Sequence, residues 1–351
     1  MPLNRLYETV INARNSLYET GVFKSHTLGV LTVSIGNITV GGTGKTPLVA
    51  YVAEILAASS EKVCILTRGY GRENPRKRVL VSDGETILAD VKSAGDEPFE
   101  LARKLLGKAI VIADANRTAA GIWARENFGI TAFVLDDAFQ HRRVERDLDI
   151  VLLDATNPFG NGKTLPTGIL REPLKNLKRA DAIVITRANL AKNIPNLKSQ
   201  ISRYNPNCPI FVSENKISAL IELENFHSGK TPTATNEGQQ VANKSLAFCA
   251  LGNPSNFFEQ LRRENFNIIA EQKFPDHRFY TQNDIEKLVE KAKQSGAKIL
   301  LTTAKDAVKL VNLKIDLPCF VAESELIFDD ENNFKKLILE KQAVDNETVA
   351  D

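Results

Sequence analysis

The segment Thr39-Val40-Gly41-Gly42-Thr43-Gly44-Lys45-Thr46 has the residue types of a phosphate cradle. Glycines let successive backbone N–H groups converge on a polyphosphate, and the helix that follows turns its free amides and positive dipole end on the same anion. Gly41, Gly42, Thr43, Gly44, Lys45 and Thr46 form the expected nucleotide-contact set, with Lys45 reaching the terminal phosphates and the Thr46 hydroxyl holding Mg²⁺. The first glycine of the pattern G-x-x-x-x-G-K-[ST] is replaced by Thr39, and Val40 stands where partitioning ATPases carry a second lysine.

A phosphate cradle needs carboxylates nearby. The apolar run Ala132–Leu135 ends in Asp136-Asp137, a Walker-B arrangement that brings Asp136 to the metal if the two strands share a rim. Gly95-Asp96-Glu97-Pro98 precedes a helical pattern and has the chemistry of a helix cap. The same two carboxylates also suit a proton acceptor, Asp96, and a metal ligand, Glu97. Arg68, Arg117 and Arg171 each follow a strand or a glycine turn on that expected rim, where guanidinium groups suit an anionic substrate or a transferring phosphoryl group. Two of the four histidines, His141 in DDAFQHRR and His277 in FPDHR, stand in motif-like surroundings. A catalytic role for His277 requires the second half of the chain to close over the first.

The elements that must position these groups alternate. Apolar runs at Thr32–Ile35, Val63–Leu66, Ala109–Ile112, Ala132–Leu135, Ile150–Leu153 and Ala182–Ile185 are interleaved with helical patterns, as in βαβ units of a parallel sheet. The fold expected is α/β: a P-loop NTPase-like parallel sheet flanked by helices, with a second, smaller α/β domain joined by a strand-like linker. Residues 1–215 form the P-loop domain, including an amphipathic helix over residues 3–20. Residues 216–244 form the linker, whose polar stretch 227–244 reads as exposed. Residues 245–317 form the second domain, and 318–351 a return strand with a frayed acidic tail.

The 351 residues carry a net charge of +2, with 25% charged and 43% hydrophobic side chains. That is an ordinary composition for a globular protein and does not point to nucleic acid. The four cysteines are widely separated, which suggests neither a zinc site nor a disulfide framework. No apolar run approaches the length of a spanning helix, and no secretory signal is visible.

The motifs TVGGTGKTP, TRGYGR, GDEPFELARK, DDAFQHRR, FGNGKTLPTGILREPL, LGNPSNFF, FPDHRFYT and TTAKDAVKL, in this order, resemble the tetraacyldisaccharide 4′-kinase family over nearly the whole chain. The resemblance implies transfer of the ATP γ-phosphate, with Mg²⁺, to the 4′-hydroxyl of an acylated disaccharide 1-phosphate at the cytoplasmic face of the inner membrane. By motif, it implies Lys45 and Thr46 as phosphate and metal residues, Asp136 as the Walker-B carboxylate, Asp96 as general base with His277 assisting it, and Arg68, Arg117 and Arg171 facing substrate. Departures from the family pattern fall at Ala138, Ile169 and Ala304, none of them a reacting group. A lipid substrate also changes the reading of residues 3–20, from a helix packed on the domain to one whose apolar face, with Leu3, Leu6, Val10 and Leu17, lies on the membrane surface. Competing readings are a P-loop ATPase switch of the partitioning or maturation type, disfavoured by Val40, and a binding module with a vestigial loop, disfavoured by intact Lys45, Thr46 and Asp136.

Overall fold

A computed structural model describes residues 3–228 and 242–348. The first seven strands are β1 (Leu31–Asn37), β2 (Val63–Thr67), β3 (Val79–Ser82), β4 (Ala109–Ala113), β5 (Ala132–Asp136), β6 (Leu148–Asp154) and β7 (Ala182–Thr186). A long strand, β8 (Ile210–Glu222), leads to β9 (Ser245–Cys249), β10 (Ile268–Lys273), β11 (Ile299–Thr303) and β12 (Cys319–Phe328). They form one twelve-stranded sheet in the order β10-β9-β11-β12-β8-β7-β6-β1-β5-β2-β4-β3.

The apolar runs become strands because a parallel sheet covered on both faces tolerates no polar alternation. Every residue of β1, β2, β4, β5, β6 and β7 is buried. From β8 to β4 all neighbours pair in parallel, and β3 closes that edge antiparallel. The strands β10, β9, β11 and β12 form a second parallel group. What joins the groups is an antiparallel ribbon: residues 210–212 of β8 pair with β7, and residues 213–222 pair with β12. The alternating segment Lys216–Glu224, expected as a connector, supplies much of that ribbon. The polar stretch read as an exposed linker lies outside the described residues over 229–241.

The C-terminal tail is a correction. Residues Glu331–Thr348 form a helix, and Phe334 and Ile338 are fully buried in the core shared by β1, β5 and the helix Lys45–Ala58. Phe334 stacks on Phe328 with ring centroids 4.5 Å apart. The chain therefore returns from the second module to pack on the first. Phe334, Leu337 and Ile338 lie at helical spacing, a signal hidden by the charges around them.

All strands of each parallel group end on one rim, and the two rims face each other. The first carries the cradle after β1, Arg68 after β2 and Asp136-Asp137 at the end of β5. The second carries Leu251–Asn253 after β9, Asp276-His277 after β10 and Lys305 after β11.

Candidate active site

The cradle forms where β1 gives way to the helix Lys45–Ala58. Gly44 takes φ +84°, open to glycine at little cost, and no side chain caps the helix. Its first amides are therefore left for an anion, as a phosphate site requires. The turn is held from below: Asn37 Nδ2 donates to Thr43 Oγ1 at 2.9 Å, and the Thr186 hydroxyl donates to the Thr43 carbonyl at 2.9 Å. Arg187 donates to the Gly42 carbonyl at 2.8 Å. Gly41 to Thr46 line a cavity of about 700 Å³ between the two rims, a size that suits a nucleotide.

Asp136 and Asp137 take different positions at the end of β5. Asp136 is buried and accepts from the Thr67 hydroxyl at 2.8 Å. Burial, with Glu97 and Asp137 nearby, pushes its carboxyl up to about 6. Asp137, with φ +49°, turns into the cavity. It pairs with Lys45 Nζ at 3.5 Å and takes two hydrogen bonds from Arg171 Nη1 at 2.8 and 2.9 Å. Burial raises its pKa, but Lys45 and Arg171 outweigh burial and hold it below the usual carboxylate range.

Asp96 begins the helix Asp96–Lys104. The preceding Gly95, at φ +91°, has no room for a side chain, since a Cβ there would stand 2.7 Å from the Tyr70 carbonyl. Three cationic or protonatable groups from the opposite rim converge on the carboxylate. His277 Nδ1 lies 2.9 Å from Oδ2, and Lys305 and Lys309 Nζ each lie 3.8 Å from it. Burial pushes Asp96 up, yet the His277 hydrogen bond, then Lys305 and Lys309, bring it below its ordinary value. The same hydrogen bond raises the His277 pKa against the effect of burial. His277 holds φ +59°, a conformation that costs a non-glycine residue about 1–3 kcal/mol. Asp96 is only 4% exposed and is not among the residues lining the cavity, whereas His277, bonded to it, is. Glu97 lines the cavity and pairs with Lys305 at 3.2 Å.

The three arginines have three different fates. Arg171 lines the cavity. Arg68 lies out on the rim, 5.2 Å over the Tyr70 ring, with its Nη1 donating to the Tyr70 hydroxyl at 3.2 Å. Arg117, expected to face substrate, is buried: its guanidinium donates to the Asp136 carbonyl at 2.7 Å, and it is not among the residues that line the cavity. His141 is half-buried among Arg117, Arg146 and Arg14. Burial first, then these cations, push it down to about 3, so it is neutral.

Lys305, Lys309 and Asp137 were missed as site residues. Lys305 and Lys309 stand in TTAKDAVKL directly after an apolar strand, the same placement that marked Asp136, so the rim logic applied to the second module would have found them.

Among the described residues no cluster of three or more His, Cys, Asp or Glu side chains could cage a metal. Mg²⁺ does not require one, because it is held by one or two carboxylates, a hydroxyl, water and substrate phosphates. Thr46, Asp137 and Glu97 line the cavity, with Asp136 buried close to Glu97 and Asp137, and all four offer oxygen donors of the kind Mg²⁺ takes.

A parallel sheet, a glycine cradle with Lys45-Thr46 at its rim and a carboxylate pair facing it define a P-loop nucleotide-dependent phosphotransferase. The family model described as Tetraacyldisaccharide-1-P 4′-kinase matches residues 1–343, and the chain belongs to that family. A tetraacyldisaccharide 4′-kinase of Pelobacter propionicus is 37% identical over 332 residues, covering 94% of this chain and 88% of that one. One from Desulfotalea psychrophila is 35% identical over 341 residues, covering 96% and 94%. The crystal structure of LpxK from Aquifex aeolicus in complex with ATP superposes with a TM-score of 0.77 at 32% identity, over 97% of each chain. The chain is thus an ATP-dependent kinase that works with Mg²⁺, and the reading as a partitioning-type switch is not favoured.

Proposed function

We propose that this chain transfers the γ-phosphate of ATP to the 4′-hydroxyl of a tetraacylated disaccharide 1-phosphate lying in a membrane surface. The observation that carries the reading is the Asp96 carboxylate, kept ionised by His277, Lys305 and Lys309 on a rim that faces Lys45 across the cavity. As the bond from the γ-phosphorus to the ADP oxygen breaks and the bond to the 4′-oxygen forms, the hydroxyl proton passes to Asp96. His277 holds that carboxylate in register. Lys45 and Arg171, now paired with Asp137, turn to the phosphates and spread the charge of the transferring group. Thr46 and the Asp136, Asp137 and Glu97 oxygens would hold Mg²⁺, which would supply charge neutralisation to the nucleotide phosphates. Because Asp96 is buried and bonded to His277 of the opposite rim, the hydroxyl gains access when the two rims part, and the rims then close around the donor and acceptor. The three divisions of the chain, 1–215, 216–244 and 245–317, follow this design: a module that holds phosphate, a connection, and a module that completes the site.

The membrane reading rests on an inverted helix. Leu3–Glu19 turns polar residues inward: the Tyr7 hydroxyl donates to the Arg171 carbonyl at 3.0 Å, and Asn15 Nδ2 donates to the buried Glu172 at 2.9 Å. Leu3, Leu6 and Val10 point to solvent at 66, 54 and 58% exposure, with Val22 and Phe23 beside the helix end. An apolar strip left outward suits the headgroup boundary of a bilayer, and among the described residues no helix is long and apolar enough to cross one. The protein then sits peripherally on the cytoplasmic face of the inner membrane.

The test is label transfer from γ-labelled ATP to a monophosphorylated tetraacyl disaccharide dispersed in detergent, with and without Mg²⁺. Labelled lipid only with Mg²⁺ supports the reading, whereas labelled inorganic phosphate with no labelled lipid would overturn it.

A further inference from the structure

We propose that Asp306 is a positioning residue of the phosphotransfer: it holds the Lys309 ammonium on the Asp96 carboxylate and so fixes the second rim against the proton acceptor. The inference rests on the reading of Asp96 as that acceptor. Asp306 itself does not line the cavity.

The side chains of Asp306 and Lys309 are wholly buried, with Lys309 Nζ 3.1 Å from Asp306 Oδ1 and 3.8 Å from Asp96 Oδ2. The ammonium thus stands between one carboxylate from each module. Taking a charge out of water is costly unless it is paired, so a buried lysine needs a fixed counter-charge. Lys305 has other work open to it, because it lines the cavity and is shared among Asp96, Glu97 and Asp276. Lys309 does not line the cavity, and among the described residues Asp96 and Asp306 are its ion-pair partners. Its Nζ completes no hydrogen bond with any described residue, so its N–H donors remain to be drawn to Asp96.

Asp306 is bound beyond what its own helix needs. Its contact with Thr303, whose hydroxyl donates to Oδ2 at 2.8 Å and accepts from the Asp306 amide at 3.2 Å, is an ordinary start to the helix Ala304–Ala307. The remaining bonds reach out of that helix. The Tyr280 hydroxyl donates to Oδ1 at 2.9 Å, and the Ala250 amide donates to Oδ1 and Oδ2 at 3.2 and 3.1 Å. Ala250 leads into Leu251–Asn253, Tyr280 closes the loop that carries Asp276-His277, and Thr303 precedes Lys305. One carboxylate therefore ties together the segments of the second rim and holds the cation that meets Asp96.

Label transfer to the tetraacyl disaccharide and ATP binding by titration calorimetry, both on the full chain, test this with Asp306→Asn, Lys309→Met and the double variant. Asp306→Asn keeps the shape and removes the counter-charge; it should lower kcat by about tenfold and leave ATP affinity within about twofold. Lys309→Met should lower kcat at least as far. Because Asp306 acts through Lys309, adding Asp306→Asn to Lys309→Met should cost less than about twofold more, the non-additivity of residues in one network. A merely structural Asp306 would lower the urea midpoint and leave the kcat of folded protein unmoved, which would overturn the assignment. Equal losses of kcat from Asp306→Asn in both backgrounds, or a loss of ATP affinity matching the loss of kcat, would overturn it too. Should Asp306→Asn not fold, Tyr280→Phe removes one bond to the carboxylate and is read in the same way, with about threefold expected in kcat. Equal turnover by the wild type and Asp96→Ala would instead overturn the reading of Asp96 on which the proposal depends.

Discussion

His277 Nδ1 lies 2.9 Å from Asp96 Oδ2, although the two residues are 181 positions apart and belong to opposite rims. The contact makes the second module part of the site. If Asp96 takes the hydroxyl proton and His277 holds it in place, the two substitutions differ in degree. Asp96→Ala should lower kcat by about a hundredfold to ten-thousandfold, the range for removal of a general base. His277→Ala should cost less, and ATP affinity should hold in both. Steady-state kinetics with separate nucleotide-binding measurements decide it; a larger loss from His277→Ala would transfer the proton to the histidine.

Much of this was legible in sequence because buried parallel strands write themselves as uninterrupted apolar runs. Thr32–Ile35 and Ala132–Leu135 are both marked in that way, and their ends carry Asn37 and Asp136 to one rim. Where side chains turn is harder to read. Arg117 and Arg171 both follow strands or turns at the rim, yet one guanidinium runs beneath Asp136 and the other into the cavity. That difference depends on packing depth, which residue type and spacing do not encode. The helix Glu331–Thr348 was hidden for a related reason, since three apolar residues among many charges suffice once a groove already exists to receive them.

The Asp96–His277 pair also sets a pH window for closure. His277 has its folded pKa raised, so its stabilising contribution is full below the ordinary histidine value and disappears as pH rises through the raised one. Asp96 has its folded pKa lowered, so its contribution is full above the ordinary carboxylate value and is lost as pH falls through the lowered one. Between those limits the pair is intact. Urea midpoints of the wild type and His277→Gln, compared across pH, should differ most near about pH 5 to 6, where both charges are present, and converge as pH rises past the histidine. A constant difference from about pH 5 to 9 would show that the imidazole acts by packing alone.

Phe334 tests the return of the chain. It is fully buried against Phe328, Phe211 and Tyr51, and so ties the C-terminal helix to the core beneath the cradle. Phe334→Ala should destabilise the fold by about 3–5 kcal/mol, the cost of an aromatic cavity in a packed core. The loss should appear in denaturant midpoints read from the nucleotide module, and an unchanged midpoint would mean that the helix is dispensable to that core.

The helix Leu3–Glu19 lets the proposed membrane contact be tested apart from catalysis. Its inward face is bonded to the segment that carries Arg171 and Glu172, and its outward strip makes no such bonds. Changing Leu3 and Leu6 to Ser removes apolar surface without touching the cavity. If the strip enters the headgroup boundary, each leucine contributes on the order of 1.5 kcal/mol, about tenfold in partitioning. The double variant should therefore sediment about a hundredfold less with vesicles, while nucleotide binding stays unchanged. Turnover of a short-chain substrate dispersed in detergent should also persist, because that acceptor reaches Asp96 without the helix having to meet a bilayer. Equal partitioning of variant and wild type would mean that the exposed strip contacts something other than lipid.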